Sequence, residues 1–183
     1  MNITPLAIDG AYLISAQKHQ DDRGEFMRLF CQPSLHKILS GEQIIQMNLS
    51  MTHETGAIRG MHYQLPPHAE TKLVRCLQGE VFDVVVDLRQ GSTTFLQWHA
   101  EVLNPDTAHM LLIPKGCAHG FQVLKPNSQL LYAHTQAYMP QAEAGVRFDD
   151  PLLGIDWPVS MTMVSDRDRQ HVLLSTHYQG IVL

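Results

Sequence analysis

From Gln43 onward the chain is cut into short apolar or alternating runs, each closed by turn-forming residues, and this rhythm limits what it can fold into. The runs are QIIQMNLSM, KLVRCL, EVFDVVVDL, TTFLQWHAEVL, HMLLIP, HGFQVL and QLLYAHTQAY. They carry the period of two and the β-branched content of strands. Between them lie QLPPHAE, RQGS, NPDT, PKGC and KPNS, rich in Gly, Pro, Asn, Asp and Ser. Many short strands at such spacing predict an all-β sandwich or barrel. One helix is expected, at PSLHKILSG, with Pro33 near its start and Gly41 as its stop. Ala144 to Leu183 reads as an irregular tail wrapped around the barrel, so short helices are peripheral at most.

A length of 183 residues fits a single domain spanning 1–183. A net charge of −5 gives no electrostatic footprint for a nucleic-acid backbone, although a local Arg and Lys cluster can still hold one diphosphate. No run approaches the roughly 18 apolar residues of a membrane span. The N-terminal MNITPLAIDGAYLISAQ lacks the basic start and long apolar stretch of a secretory signal, so a cytoplasmic location is expected. Cys31, Cys76 and Cys117 lack CxxC spacing and are expected to be reduced thiols.

Four segments carry groups suited to chemistry. Gln46, Asn48 and Ser50 alternate with Met47, Leu49 and Met51, so one strand face is polar and the other apolar. The ordinary reading puts the polar face in solvent; inside a barrel it would line a cavity. Arg59 and His62 stand three apart and would face opposite sides of a regular strand. A bulge at Gly60 would bring them together. Pro114 to Phe121, PKGCAHGF, has the PxGxxH spacing of the second cupin motif, which carries a histidine into a barrel. Metal-binding cupins also need an HxH pair, and here the matching stretch reads HYQ; a cupin-like barrel without catalytic metal is therefore expected. Asp83, on an apolar strand beside Val81 and Val85, either faces water or satisfies a neighbouring backbone group, or, on the sharper reading, is buried and paired, with His119 the expected partner.

Taken together, DDRGEF (21–26), QMNLS (46–50), GAIRGMHYQLPPHAETKLVRC (56–76), GEVFDVVVDLR (79–89), IPKGCAHGFQVL (113–124), LLY (130–132) and DDPLLGIDWP (149–158) resemble the dTDP-4-dehydrorhamnose 3,5-epimerases in order and across nearly the whole chain. The resemblance implies a cupin-like double-stranded β-helix, or jelly roll, and a cofactor-free isomerase acting on a nucleotide-diphosphate sugar. It makes His62 the proton-abstracting base, Asp168 the carboxylate that orients it, Tyr132 the opposing acid and Lys72 the positive group near the sugar's C4 oxygen. Arg59, His119, Gln46, Asn48 and Tyr138 complete the substrate pocket. Arg23 and Phe26 resemble family residues that reach a neighbouring subunit's ligand, which implies a homodimer.

This chemistry suits those residue types. A C4 ketone acidifies the protons at C3 and C5, and neutral imidazole, with a pKa of about 6.5, can remove either. A cation near the enolate oxygen stabilises the charge that develops. The chain also departs from the family pattern. Arg28 stands where many members carry a Glu that contacts the base, Ala133 replaces a frequent Lys, Gln136 a frequent acid, and Ala137 the first of two tyrosines. These departures leave open a C3-only or C5-only epimerase, another nucleotide, or a silent sugar-nucleotide-binding cupin. The absent HxH disfavours a metal-dependent oxygenase.

Overall fold

The computed structural model describes residues 1–183. Eleven strands and two short helices follow one another as β1 (Asn2–Pro5), β2 (Tyr12–Ser15), β3 (Lys18–Asp21), β4 (Gly24–Met27), α1 (Gln32–Leu35), β5 (Gln46–Thr52), β6 (Ile58–Gln64), β7 (Lys72–Asp87), β8 (Trp98–Leu103), β9 (His109–Ile113), β10 (Cys117–His134), β11 (Glu143–Gly145) and α2 (Asp166–Gln170). No helix is long and apolar enough to cross a membrane.

The architecture rests on β7 and β10, which pair antiparallel from Cys117 opposite Asp87 to His134 opposite Lys72. Each serves two sheets. The first half of β7 joins β9, β2 and β1, while the second half of β10 joins β5. At the other end β8 flanks β7, and β6 with β11 flanks β10. Two sheets sharing two long, bent strands form a jelly-roll sandwich.

The bend explains a difference from the sequence expectation, in which KLVRCL and EVFDVVVDL are separate strands and KPNS is a turn. Pairing continues through both places with breaks in register between Val123 and Leu130. Gly79 sits there at φ 79°, and an added Cβ would overlap Ser128. The break shifts the alternation. Val74 and Cys76 point inward before it, as do Val81, Asp83 and Val85 after it, so both halves keep an apolar face on the same interior.

Outside the sandwich, Val84, Val86 and Ala118 are covered by the tail through Leu153 and Ile181. Leu73, Leu112 and Ala133 are covered by Leu35 and Leu39. These two leucines come from the predicted helix, which is only the four-residue Gln32–Leu35 before the chain turns at Ser40 and Gly41, both at positive φ. The first part of TTFLQWHAEVL is also a turn rather than strand, and only Trp98–Leu103 pairs. The polar N-terminal hairpin β3–β4 is a separate two-stranded ribbon; its sequence lacks the apolar alternation that marks core strands.

One buried carboxylate ties the end of β7 to the turn after it. Asp87 is fully buried and accepts hydrogen bonds from Arg89 Nε (2.9 Å) and Nη2 (2.8 Å), the Arg89 N–H, Ser92 Oγ and Thr94 Oγ1. Burial alone would raise its pKa, but the Arg89 guanidinium and the two hydroxyls outweigh that and hold it at about 2. A depressed carboxyl stabilises the fold above its unfolded pKa and ceases to do so as pH falls through its folded value. Asp87 should contribute about 2 kcal/mol at neutral pH, lost between about pH 4 and pH 2. Urea titrations of the wild type and Asp87→Asn at both ends of that window should show the variant's deficit shrinking towards acid.

Candidate functional site

The site begins with an irregularity in β6. His62 lies opposite His119 and Arg59 opposite Phe121, so Gly60 and Met61 together face the single residue Gly120. That two-against-one arrangement is a bulge, and it reverses the alternation of β6 at this point. Arg59 and His62 consequently line the same cavity, while Met61 is buried in the outer cluster against Val84 and Val86. Glycine is required on both strands. Gly60 has φ 121°, and an added Cβ would lie 2.6 Å from Gly120 Cα and 2.7 Å from the His119 carbonyl oxygen.

His62 is held from the tail. Its Nε2 lies 2.6 Å from Asp168 Oδ1, and the other carboxylate oxygen accepts the Gly60 N–H at 3.2 Å. Asp168 therefore fixes both the ring and the bulge that aims it. Ser165 caps α2 by accepting the Asp168 N–H at 3.1 Å, which places the carboxylate. Burial would raise the Asp168 pKa, but the hydrogen bond and charge of His62, with the Gly60 N–H, bring it down to about 2. An ionised Asp168 accepts the Nε2 proton and leaves Nδ1 with a lone pair. Arg167 Nη2 stands 3.3 Å from His62 Nε2, but two donors cannot bond each other. Arg167 donates instead through Nη1 to Glu143, at 2.9 Å.

The remaining polar groups form linked chains around a cavity of about 280 Å³ between the two sheets. Lys72 Nζ lies 3.1 Å from Glu70 Oε1 and donates to the His62 carbonyl at 3.3 Å. Glu70 also accepts His134 Nδ1 at 2.8 Å; the His134 hydrogen bond and the Lys72 charge lower its pKa against the opposing effect of burial. On the far side of His134, Asn48 Nδ2 approaches Nε2 at 3.3 Å. His119 Nε2 meets the fully buried Asp83 at 2.8 Å, the pairing expected for that carboxylate. The Tyr132 phenol lies 3.4 Å from Ser50 Oγ, and burial pushes its pKa far above the ordinary value. It is protonated at neutral pH.

The cavity thus gathers His62, Lys72, Tyr132, Arg59, His119, Asn48 and Tyr138. Asn48 and Ser50 line the cavity, the alternative to a purely solvent-facing strand, with Asn48 still exposed at its open side; Met47, Leu49 and Met51 are about half or more exposed. Gln46 stands behind the rim and accepts the Tyr138 N–H at 2.9 Å; Tyr138 donates its hydroxyl to Glu143 at 2.7 Å. Arg23 and Phe26 lie on the β3–β4 ribbon, apart from this cavity. Glu70, His134, Glu143 and Arg167 were missed. Glu70 and His134 had a legible signal, since each is two residues from a chosen group, Lys72 or Tyr132. Glu143 and Arg167 had none, because they meet only when the tail packs against β6.

Barrel and pocket together define a class, a cupin-like isomerase whose interior sets a carboxylate-held imidazole in one cavity with a half-buried phenol. The family model described as dTDP-4-dehydrorhamnose 3,5-epimerase matches residues 5–176, and the chain belongs to that family. It is 40% identical over 172 residues to the dTDP-4-dehydrorhamnose 3,5-epimerase of Pseudomonas aeruginosa, covering 93% of this chain and 94% of that one. The crystal structure of dTDP-6-deoxy-D-glucose-3,5-epimerase from Legionella pneumophila in complex with dTDP-4-keto-L-rhamnose is similar at TM-score 0.89 and 37% identity, covering 94% of this chain and 92% of that one. A 3'-monoepimerase from Streptomyces bikiniensis in complex with dTDP-quinovose is similar at TM-score 0.86 and 32% identity, covering 93% and 86%.

The bulge carries a direct test. Gly60→Ala forces a side chain into the β10 backbone at a φ that L-residues rarely adopt, at a cost of about 1–3 kcal/mol. The thermal midpoint should fall by several degrees, and turnover measured well below that midpoint should fall at least about tenfold, since a misplacement of about 1 Å can cost two orders of magnitude. A Gly60→Ala protein with unchanged turnover would show that the bulge does not aim His62.

Proposed function

We propose that this protein epimerises C3 and C5 of a nucleotide-linked 4-keto-6-deoxyhexose, of the kind dTDP-4-dehydro-6-deoxyglucose represents, without a cofactor. The observation that carries this reading is that His62, held by Asp168 at 2.6 Å, lines one cavity with the protonated Tyr132 phenol. In this mechanism His62 Nδ1 removes the proton from the carbon beside the ketone, and Asp168 stabilises the imidazolium that results. The electron pair moves to the C4 oxygen, where Lys72 offsets the charge. Tyr132 returns a proton to the opposite face, completing inversion. Arg59, His119 and Asn48 hold the sugar and its diphosphate, while Gln46 and Tyr138 shape the rim.

Counting exchanged hydrogens tests both the reaction and its extent. In heavy water, a 4-keto-6-deoxy sugar nucleotide should gain deuterium at both C3 and C5, read by mass spectrometry. His62→Asn should lower the rate by roughly 10²–10⁴-fold, the usual contribution of a positioned base. The similarity to a 3'-monoepimerase makes a single exchange the specific competing result, and it would select a one-site epimerase. No exchange despite tight binding would leave a sugar-nucleotide-binding module.

The same reading includes a homodimer. β5 pairs only with β10, and Met47, Leu49 and Met51 along it stay about half exposed, so covering them would contribute about 1 kcal/mol each. The β3–β4 ribbon pairs only with itself, and Phe26 is 71% exposed. A second copy that covers the β5 face would receive Arg23 and Phe26 at the mouth of its cavity. Light scattering should give twice the chain mass, and Phe26→Ala should raise KM more than it lowers kcat. A monomer with full turnover would remove both residues from the ligand site.

A further inference from the structure

A histidine outside this mechanism completes a cluster of metal-ligand geometry. His171 follows α2 directly, and its ring packs against the backbone at Gly145 and edge-on to His62, with centroids 6.0 Å apart. Its Nε2 is buried without a hydrogen-bond partner and lies 3.9 Å from Asp168 Oδ1. One donor atom each from His62, Asp168 and His171 falls within 4.8 Å of the other two. Four-coordinate zinc binds nitrogen and oxygen at about 2.0–2.2 Å, which sets neighbouring ligands roughly 3.3 Å apart. The 2.6 Å and 3.9 Å separations lie on either side of that spacing, and all three donors lie within 4.8 Å of one another, so seating an ion requires the two rings to turn towards a common point.

We propose that His62, Asp168 and His171 form an inhibitory site for zinc or a similar borderline divalent ion. Two imidazoles and a carboxylate suit such metals, and the vacant Nε2 of His171 gains a partner. Coordination at His62 Nε2 displaces the hydrogen bond to Asp168 and moves the ring proton to Nδ1. That shift removes the lone pair that accepts the substrate proton, with no net loss of a proton from the ring. The ion silences the base from behind, so inhibition falls on kcat rather than on KM. Arg167 opposes the ion. Its Nη2 stands 3.3 Å from His62 Nε2 and its Nε 3.7 Å from Asp168 Oδ1, so this half-exposed guanidinium, which pairs with Glu143 through Nη1, has to swing towards solvent when an ion is seated, which weakens the site.

The binding half of this proposal rests on geometry alone, and the inhibitory half rests on His62 being the base. The experiment uses tag-free, chelator-treated full-length protein. Zinc titrated by calorimetry should show one equivalent, cobalt(II) should give the d–d absorption of a site of low coordination number, and zinc should lower kcat at constant KM. Without metal, His171→Leu should keep turnover within about twofold; it should lose the cobalt signal and need at least tenfold more zinc for the same inhibition. Equal zinc sensitivity in His171→Leu, or no stoichiometric binding to the wild type, overturns the site. Stoichiometric binding that His171→Leu abolishes, with wild-type kcat unaffected by zinc, overturns the inhibitory half and the assignment of His62 as base.

Discussion

Nearly everything in this molecule hangs on the antiparallel pairing of two long strands, β7 and β10. Because each belongs to both sheets, their shared bend sets how far the sheets diverge and so the width of the interior. One end of that interior is filled by Val81, Val85, Leu111, Phe121 and Val123. Towards the other end, inward positions carry Lys72, His119, Tyr132 and His134. The pocket is the same interior continued with polar side chains. Its polar groups are held in place by one another: Glu70 joins Lys72 to His134, Asp83 holds His119, and Asp168 holds His62. Burial penalises each charge, and pairing offsets the penalty.

Such paired burial favours a rigid site. Each ring has one nitrogen committed to a carboxylate, which selects a tautomer before substrate arrives. The cost is exposure to anything that competes for that nitrogen, and His171 sits where a competitor would be held.

The strands were legible because a sheet with one buried face imposes a period of two, and the turns were legible from their Gly, Pro and Asn residues. What escaped was the continuity of β7 and β10. Gly79 and the KPNS segment look like turns in sequence and act as bends in space, since only tertiary pairing distinguishes the two. The N-terminal ribbon escaped for the opposite reason: it buries little and so leaves no apolar pattern. In the site, the bulge at Gly60 was legible, because two polar groups three apart with a glycine between them invite it. The linkage of Asp168 to His62 came from family resemblance alone. No local pattern relates residues 106 positions apart. Glu143, Arg167 and His171 share that limit, since their contacts with the site form when the tail docks.

The carboxylate that fixes His62 belongs to a tail held by side-chain packing and a few bridges, with no extended strand of its own beyond β11. Asp168 follows every strand of the jelly roll in sequence and reaches the ring across 106 positions. The orientation of that ring is therefore set from outside the strands that line the cavity. That same tail carries Leu153 and Ile181, which cover Val84, Val86 and Ala118, so the orientation of the ring and the outer packing of the sandwich depend on one segment.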